Sequence, residues 1–188
     1  MKINFEIIRQ GAEFLHRLVY TYQISPFEVT GFNEDRSYEY ACRNDIPFIR
    51  GWPTFYKTLE KTSLQNRIGI AALPHADGQP ASSVLGGWNL MISRHSKVKR
   101  EAAIFLNHML SPEVQKIMLK VGGYLPVVRD IYTDPDILAE IDYLPYLKQL
   151  VDKGFYRPAG PQYIQLSKSL ADSIYRYLNR PVNPNEGP

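Results

Sequence analysis

The sequence places its only two tryptophans, Trp52 and Trp88, beside glycines, in Gly51-Trp52-Pro53 and in Gly86-Gly87-Trp88-Asn89. Glycine lets the backbone come close to a bound molecule, and an indole offers a broad, rigid apolar face. Together they can hold a ring-shaped ligand by stacking, as on the apolar face of a sugar. The alternative is that each tryptophan is a core aromatic at an edge of the fold. The pattern favours a ligand platform over a catalyst.

Three further residues carry polar groups that suit a ligand with many hydroxyls. Arg157 begins the rigid loop Arg157-Pro158-Ala159-Gly160-Pro161 and brings five hydrogen-bond donors. Its alternative role is an ion pair with a nearby carboxylate. Tyr124 and Tyr163 follow turns and carry a hydroxyl on an apolar ring, although both can simply be packing residues with an exposed tip.

The sequence indicates no catalytic or metal centre. The histidines lack the His-x-x-x-His spacing, and neither a Gly-x-Ser-x-Gly elbow nor a phosphate-binding glycine loop is present. His75 and Asp77 could chelate a metal, but two such residues in a turn are more typical of a polar surface. A glycosidase needs two carboxylates facing one bond, and no pair is singled out. We therefore expect a non-catalytic protein with no metal and no cofactor.

Composition and charge restrict the class of protein further. The 188 residues are 44% hydrophobic and 22% charged, as in an ordinary globular protein. No apolar run approaches the ~20 residues of a membrane helix, and residues 1–6 lack the apolar centre of a signal peptide. We therefore expect no signal peptide or lipid anchor in this chain. Cys42 is the only cysteine, which excludes an internal disulfide and predicts a buried thiol.

A basic cluster, Arg94-His95-Ser96-Lys97-Val98-Lys99-Arg100, is the main argument for a different function. It could bind phosphates, but no nucleic-acid-binding motif accompanies it. The net charge of +3 is also too small to require such a partner. We interpret the cluster as a solvated face and expect no nucleic-acid partner.

Helices dominate the predicted secondary structure, with a few short strands between them. Apolar residues at steps of three and four predict a first helix before Ser25-Pro26, and we expect its stripe in the core: Phe5, Ile8, Ala12, Leu15, Val19 and Tyr22. Further helices are predicted over residues 35–42, 98–110, 111–122, 134–150 and 163–177. Strands are predicted over 46–52, 69–74 and 85–93, with a turn at 73–80.

The order of several motifs resembles the carboxy-terminal half of an extracellular solute-binding protein, with the maltose/trehalose-type proteins of sugar ABC transporters as the most similar subgroup. The resemblance covers roughly residues 14–178. The motifs that carry it are Phe48-Ile49-Arg50-Gly51-Trp52-Pro53, residues 69–74, Gly86-Gly87-Trp88-Asn89, Ala102-Ala103-Ile104-Phe105-Leu106, Ser111-Pro112-Glu113-Val114-Gln115, Gly122-Gly123-Tyr124-Leu125-Pro126 and Arg157-Pro158.

The resemblance implies an α/β, periplasmic-binding-protein-like fold of type II, in which sugar binds between two lobes. The fold would be incomplete, because the motifs of the family's amino-terminal half are missing, and it would be helix-rich with a few short strands. On the family's plan, residues 1–82 belong to the second lobe, 83–133 to the first and 134–180 to the second again. Residues 181–188 would form a disordered tail.

The implied function is non-catalytic binding of a carbohydrate, preferably an oligosaccharide, as a component of an ABC importer. In the family, the positions that match Trp52, Gly87, Trp88 and Arg157 line the cleft, and we add Tyr124 and Tyr163. The expected partners are a sugar and the transporter's membrane subunits, which the basic cluster could also contact, outside the cytoplasmic membrane. The alternative is a module that no longer binds sugar alone and acts through self-association as a homo-oligomer, or through a partner chain.

Overall fold

The computed structural model describes residues 4–59, 62, 64 and 67–181. The predicted tail lies outside them, apart from residue 181. The described helices are α1 Phe5–Tyr20, α2 Glu34–Arg43, α3 Pro53–Leu59, α4 Lys99–Met109, α5 Pro112–Gly122, α6 Pro135–Glu140, α7 Leu144–Asp152 and α8 Tyr163–Leu178, with 3-10 helices at Phe27–Gly31 and Arg129–Thr133. The described strands are β1 Val84–Leu85 and β2 Phe155–Tyr156.

The chain divides into two compact units. One unit combines the described residues up to Ile46 with those from Pro158, and the other is Pro47–Arg157. These divisions differ from the lobe boundaries expected from the resemblance, and the lobe assignment stays a prediction. Within the described residues, no helix is both long enough and apolar enough to cross a membrane.

The first unit is built on the packing of α1 against α8. Asn4 caps α1 by accepting hydrogen bonds from the backbone N–H groups of Glu6 and Ile7. His16 is buried in this contact, where its ring stacks on Tyr20 at 4.4 Å between centroids. Cys42 on α2 is half-buried, so the predicted buried thiol is only partly enclosed.

The predicted core stripe of α1 is only partly correct. Ala12 is buried, as expected, but Phe5, Leu15 and Tyr22 are exposed. The buried face instead includes His16, four residues after Ala12 on the same side of the helix. A pattern of apolar residues cannot identify that face, because a histidine with aromatic partners fills part of it.

The core of the Pro47–Arg157 unit lies where α5, α6, α7 and the second 3-10 helix meet. Its buried residues are Leu119, Ile131, Tyr132, Ile137, Ile141 and Leu144. Ser111 caps α5 by accepting from the backbone N–H of Val114, and Gly123 ends the helix at φ +68°. The predicted helix 111–122 is therefore confirmed with its predicted start and end.

Three strand predictions are wrong in most of their length. Residues 46–52 and 69–74 form no strand, and of 85–93 only Leu85 belongs to one. A strand needs a neighbour that satisfies its N–H and C=O groups, and within the described residues only β1 and β2 pair. Pro53 also begins α3 instead of a turn, since proline suits the first helical position.

The predicted helix 134–150 begins correctly but is divided into α6 and α7. Pro145 lies in the first turn of α7. Inside a continuous helix, its ring would remove a backbone hydrogen bond and clash with the preceding turn. The break is therefore a consequence of this proline.

Asp134 anchors the start of α6. Its carboxylate accepts from the backbone N–H groups of Asp136 and Ile137 at 3.0 and 3.2 Å, and pairs with Lys116 Nζ at 2.5 Å. The hydrogen bond from Lys116, followed by the one from the Ile137 N–H, lowers the pKa of Asp134. The folded unit therefore favours the ionised carboxylate.

We expect this carboxylate to make the unit's stability depend on acid pH. Its contribution is present above the ordinary aspartate pKa of about 3.9 and is lost as pH falls through the lower folded value. Asp134→Asn keeps a capping oxygen but does not titrate. In thermal unfolding followed by circular dichroism, the wild type should be the more stable near pH 7 and should converge with the variant on acidification. A constant difference at all pH values, or the same convergence in the exposed control Asp130→Asn, would contradict this role.

Candidate functional site

A short parallel sheet brings together two of the segments that the sequence singles out. Val84 pairs with Phe155 and Leu85 pairs with Tyr156, and the Phe155 N–H donates to the Ser83 carbonyl at 3.0 Å. The next residues along the two strands are Gly86 and Arg157. Because parallel strands end at the same edge, the segment that begins with Gly86 and the segment that begins with Arg157 leave the sheet side by side. Ligands of α/β proteins commonly bind at this edge.

Gly154 allows the two strands to approach each other. A Cβ atom at this position would lie 2.7 Å from Leu85 Cγ and 3.1 Å from the Ser83 carbonyl oxygen. The side chain of Leu85 therefore occupies the space above Gly154. Gly154 directly precedes the aromatic pair of β2, but its contact with Leu85 joins distant segments and could not be recognised from the sequence.

Trp88 projects away from its own unit, with 93% of the residue exposed. A Cβ atom at Gly86 or Gly87 would meet nothing within 4 Å. The indole is therefore not a core aromatic of this unit. The open backbone beside it leaves room for a bound molecule to reach both the ring and the peptide groups.

Trp52 and Tyr124 are the neighbours of two backbone segments that pack together at a second corner of the same unit. Trp52 directly precedes α3, and Tyr124 follows Gly123 at the end of α5. A Cβ atom at Gly123 would lie 3.2 Å from Thr54 Cα and 3.4 Å from the Pro53 carbonyl oxygen. The start of α3 thus packs directly on this glycine, and both aromatic residues remain partly exposed.

The ring of Tyr124 rests on Gly122. A Cβ atom at Gly122 would lie 2.6 Å from the nearest ring carbon of Tyr124. The structure therefore explains why glycine occupies both positions in Gly122-Gly123-Tyr124. The first makes room for the tyrosine ring, and the second adopts φ +68° and admits α3.

Arg157 and Tyr163 have different surroundings. No carboxylate in the described part of the chain forms an ion pair with Arg157, which is exposed, so its predicted alternative role has no partner among those residues. Tyr163 is half-buried and begins α8, in the other unit. Its membership of one site with the other five residues stays a prediction.

Two positioning residues were missed by the sequence analysis. The hydroxyl of Tyr146 on α7 accepts from the backbone N–H of Ala72 at 2.8 Å and holds residues 69–74. Gln115 donates through Nε2 to the Met109 carbonyl at 2.8 Å, and its Oε1 accepts from the Val127 N–H at 3.0 Å. Gln115 lies one turn before the buried Leu119 on α5. A polar residue on the core-facing side of a predicted helix is a sequence signal for a buried hydrogen-bonding role. No comparable feature of the sequence distinguishes Tyr146.

The basic cluster forms the exposed approach to α4. Arg94 donates through Nε to Nε2 of His95 at 3.1 Å, so this ring nitrogen acts as an acceptor. The exposure is compatible with the predicted solvated face, which stays a prediction.

Comparison with known proteins identifies the family of the chain. A family model described as bacterial extracellular solute-binding protein matches residues 43–145, which is more than half of the chain and includes both tryptophans, Gly87 and Tyr124. The chain belongs to this family. The resemblance seen in the order of motifs is therefore confirmed, and solute binding is the property that gives the family its description.

Two individual proteins are similar to this member of the solute-binding family, one in sequence and one in structure. The chain is 28% identical over 165 residues to a probable ABC transporter-binding protein of Deinococcus radiodurans, covering 85% of this chain and 39% of that protein. It also resembles the structure of maltose-bound MalE3 from T. maritima, with a TM-score of 0.84, 22% identity, and coverage of 93% of this chain and 46% of that one.

These matches confirm a periplasmic-binding-protein fold that is rich in helices. The chain spans less than half the length of each of the two proteins. The candidate site is a set of side chains on the part of a periplasmic-binding-protein fold that this chain covers. Ring faces, a guanidinium and open backbone are groups that bind a ligand through contacts and hydrogen bonds.

Proposed function

We propose that this chain is the ligand-binding part of a solute-binding component of an ABC import system, and that its ligand is a carbohydrate, specifically an oligosaccharide. The proposal is supported by the family and by the name of the Deinococcus radiodurans relative as an ABC transporter-binding protein. The maltose in the MalE3 structure supports the choice of ligand class. The chain would act outside the cytoplasmic membrane, in keeping with the family's description as extracellular.

The observation that carries the proposal is the exposed indole of Trp88 in a segment that leaves β1 at the same edge at which Arg157 leaves β2. A sugar has apolar C–H faces and a rim of hydroxyls. The indole suits the first, and a guanidinium with several donors suits the second. Trp52 and Tyr124 offer the same combination of ring and polar group at the second corner.

The proposed mechanism converts binding into a change of conformation and breaks no bond. In a two-lobed binding protein, the ligand shifts an equilibrium between open and closed forms by its higher affinity for the closed form. The membrane subunits of the transporter would recognise that closed form. Neither a catalytic residue nor a cofactor is needed for this cycle.

We expect Trp88→Ala to weaken sugar binding at least tenfold, because the variant removes the largest exposed ring face of the site. The measurement is a tryptophan fluorescence titration with maltose, trehalose and a panel of other oligosaccharides, in which Trp52 still reports in the variant. Phe48→Ala is the control, since Phe48 is an equally exposed aromatic of the same unit outside the site. Equal losses in both variants would contradict a specific role of Trp88.

A second candidate is a module that does not bind sugar alone and acts through a homo-oligomer or a partner chain. It is favoured by the exposure of three large apolar side chains, Phe48, Met91 and Trp88, on one unit, since covering them with a partner would remove apolar surface from water. No response to any sugar, together with an oligomer in light scattering, would favour this candidate. Saturable binding by a monomer would exclude it.

A further inference from the structure

The alternation of side chains along β2 decides which residues can share a ligand with Arg157. Successive side chains of a strand point to opposite faces, which separates Phe155 from Tyr156, and the same alternation continued one residue beyond β2 places Arg157 on the face of Phe155. The parallel register places Val84 beside Phe155. Val84 and Phe155 are both exposed, and 51% of Phe155 is accessible.

On the opposite face of the sheet, the side chain of Leu85 fills the space over Gly154. Leu85 pairs with Tyr156 and therefore shares its face, as does Gly154 two residues earlier. The side chain of Leu85 lies over Gly154, as shown by the 2.7 Å between Leu85 Cγ and a Cβ atom placed there. Of the two faces, the one with Phe155 and Arg157 is the one that Leu85 leaves open.

We propose that Phe155 is a further ligand-contact residue, and that its ring and the guanidinium of Arg157 together select sugars with a continuous apolar ring face. The inference rests on the carbohydrate function proposed above. Phe155 and Arg157 are two residues apart along an extended strand, or ~6.6 Å, so one pyranose can lie on the ring while its hydroxyls accept hydrogen bonds from the guanidinium. Tyr156 has no part in this contact, although it is 81% exposed and carries a hydroxyl.

The neighbouring tyrosine makes the proposal testable with a matched control. Phe155→Ala and Phe155→Leu remove the aromatic face, and the leucine variant retains an apolar side chain of similar size. Tyr156→Ala removes a more exposed aromatic from the next position on the opposite face. Circular dichroism melts would establish that each variant remains folded.

The test titrates each variant with maltose and trehalose and follows tryptophan fluorescence. We expect affinity about fivefold weaker in Phe155→Ala, an intermediate loss in Phe155→Leu, and a change below about twofold in Tyr156→Ala. Wild-type affinity in both Phe155 variants, or an equal loss in Tyr156→Ala, would overturn the role of Phe155 while saturable wild-type binding sustained the proposed function. A wild type that responds to no sugar would overturn both.

Discussion

Replacing Leu144 with alanine is expected to lower the free energy of unfolding of the Pro47–Arg157 unit by about 2–5 kcal/mol. Leu144 begins α7 and is 0% exposed. It packs in the cluster that joins α5, α6, α7 and the second 3-10 helix. The truncation removes buried methyl groups and leaves a cavity that surrounding helices can only partly fill. A loss of this size is a large fraction of the stability of a typical domain.

The measurement is urea unfolding followed by circular dichroism. Leu110→Ala is the matched control, because Leu110 is an exposed leucine of the same unit and its truncation should change stability by less than about 0.5 kcal/mol. The two variants differ in burial and not in chemistry. Equal shifts of the two denaturation midpoints would show that the cluster around Leu144 is not the core of this unit.

The parts of the fold that the sequence predicted are those fixed by neighbouring residues. Ser111 and Pro112 mark the start of α5 through a side-chain cap and a preset φ, and Gly123 marks its end through a left-handed conformation. Asp134 and Pro135 do the same for the start of α6. Such signals act within a few residues and can be recognised without knowing the tertiary structure.

The strands could not be predicted in the same way, because pairing depends on residues far apart in the chain. Val84 and Leu85 form a strand because Phe155 and Tyr156 lie beside them, whereas residues 69–74 have similar apolar character and form none. β propensity describes how well a side chain suits a pleated, half-buried surface. It does not identify the neighbour.

The same distinction applies to the candidate site. Local features were sufficient to choose Trp88 and Arg157 as candidates, since two glycines precede the tryptophan and a proline follows the arginine in the sequence. The adjacency of the segments that carry them follows from the register of β1 and β2, and the approach of the segments next to Trp52 and Tyr124 follows from the packing of α3 on Gly123. Tyr146 was missed because its hydrogen bond to Ala72 joins distant segments.

Gly154→Ala is the substitution that should couple the fold most directly to ligand binding. The new methyl group would meet the side chain of Leu85 and, at 3.1 Å, the Ser83 carbonyl oxygen, which accepts a hydrogen bond from the Phe155 N–H. Leu85 would have to leave its present position, and the carbonyl, as part of the backbone, can move even less. Overpacking of this kind costs about 1–3 kcal/mol. We therefore expect lower stability of the unit and separation of β1 from β2.

The separation should also weaken sugar binding more than tenfold, because Arg157 would no longer leave the sheet beside Gly86-Gly87-Trp88. Gly69→Ala is the control, since a Cβ atom there would meet nothing within 4 Å. In a double-mutant cycle, Leu85→Ala removes the closer of the two contacts and leaves the one with the Ser83 carbonyl, so Gly154→Ala should cost less, but not nothing, in that background. Additive losses in urea unfolding would show that Leu85 and Gly154 do not interact. Unchanged binding in Gly154→Ala would show that the β1–β2 pair does not position Arg157 for the ligand.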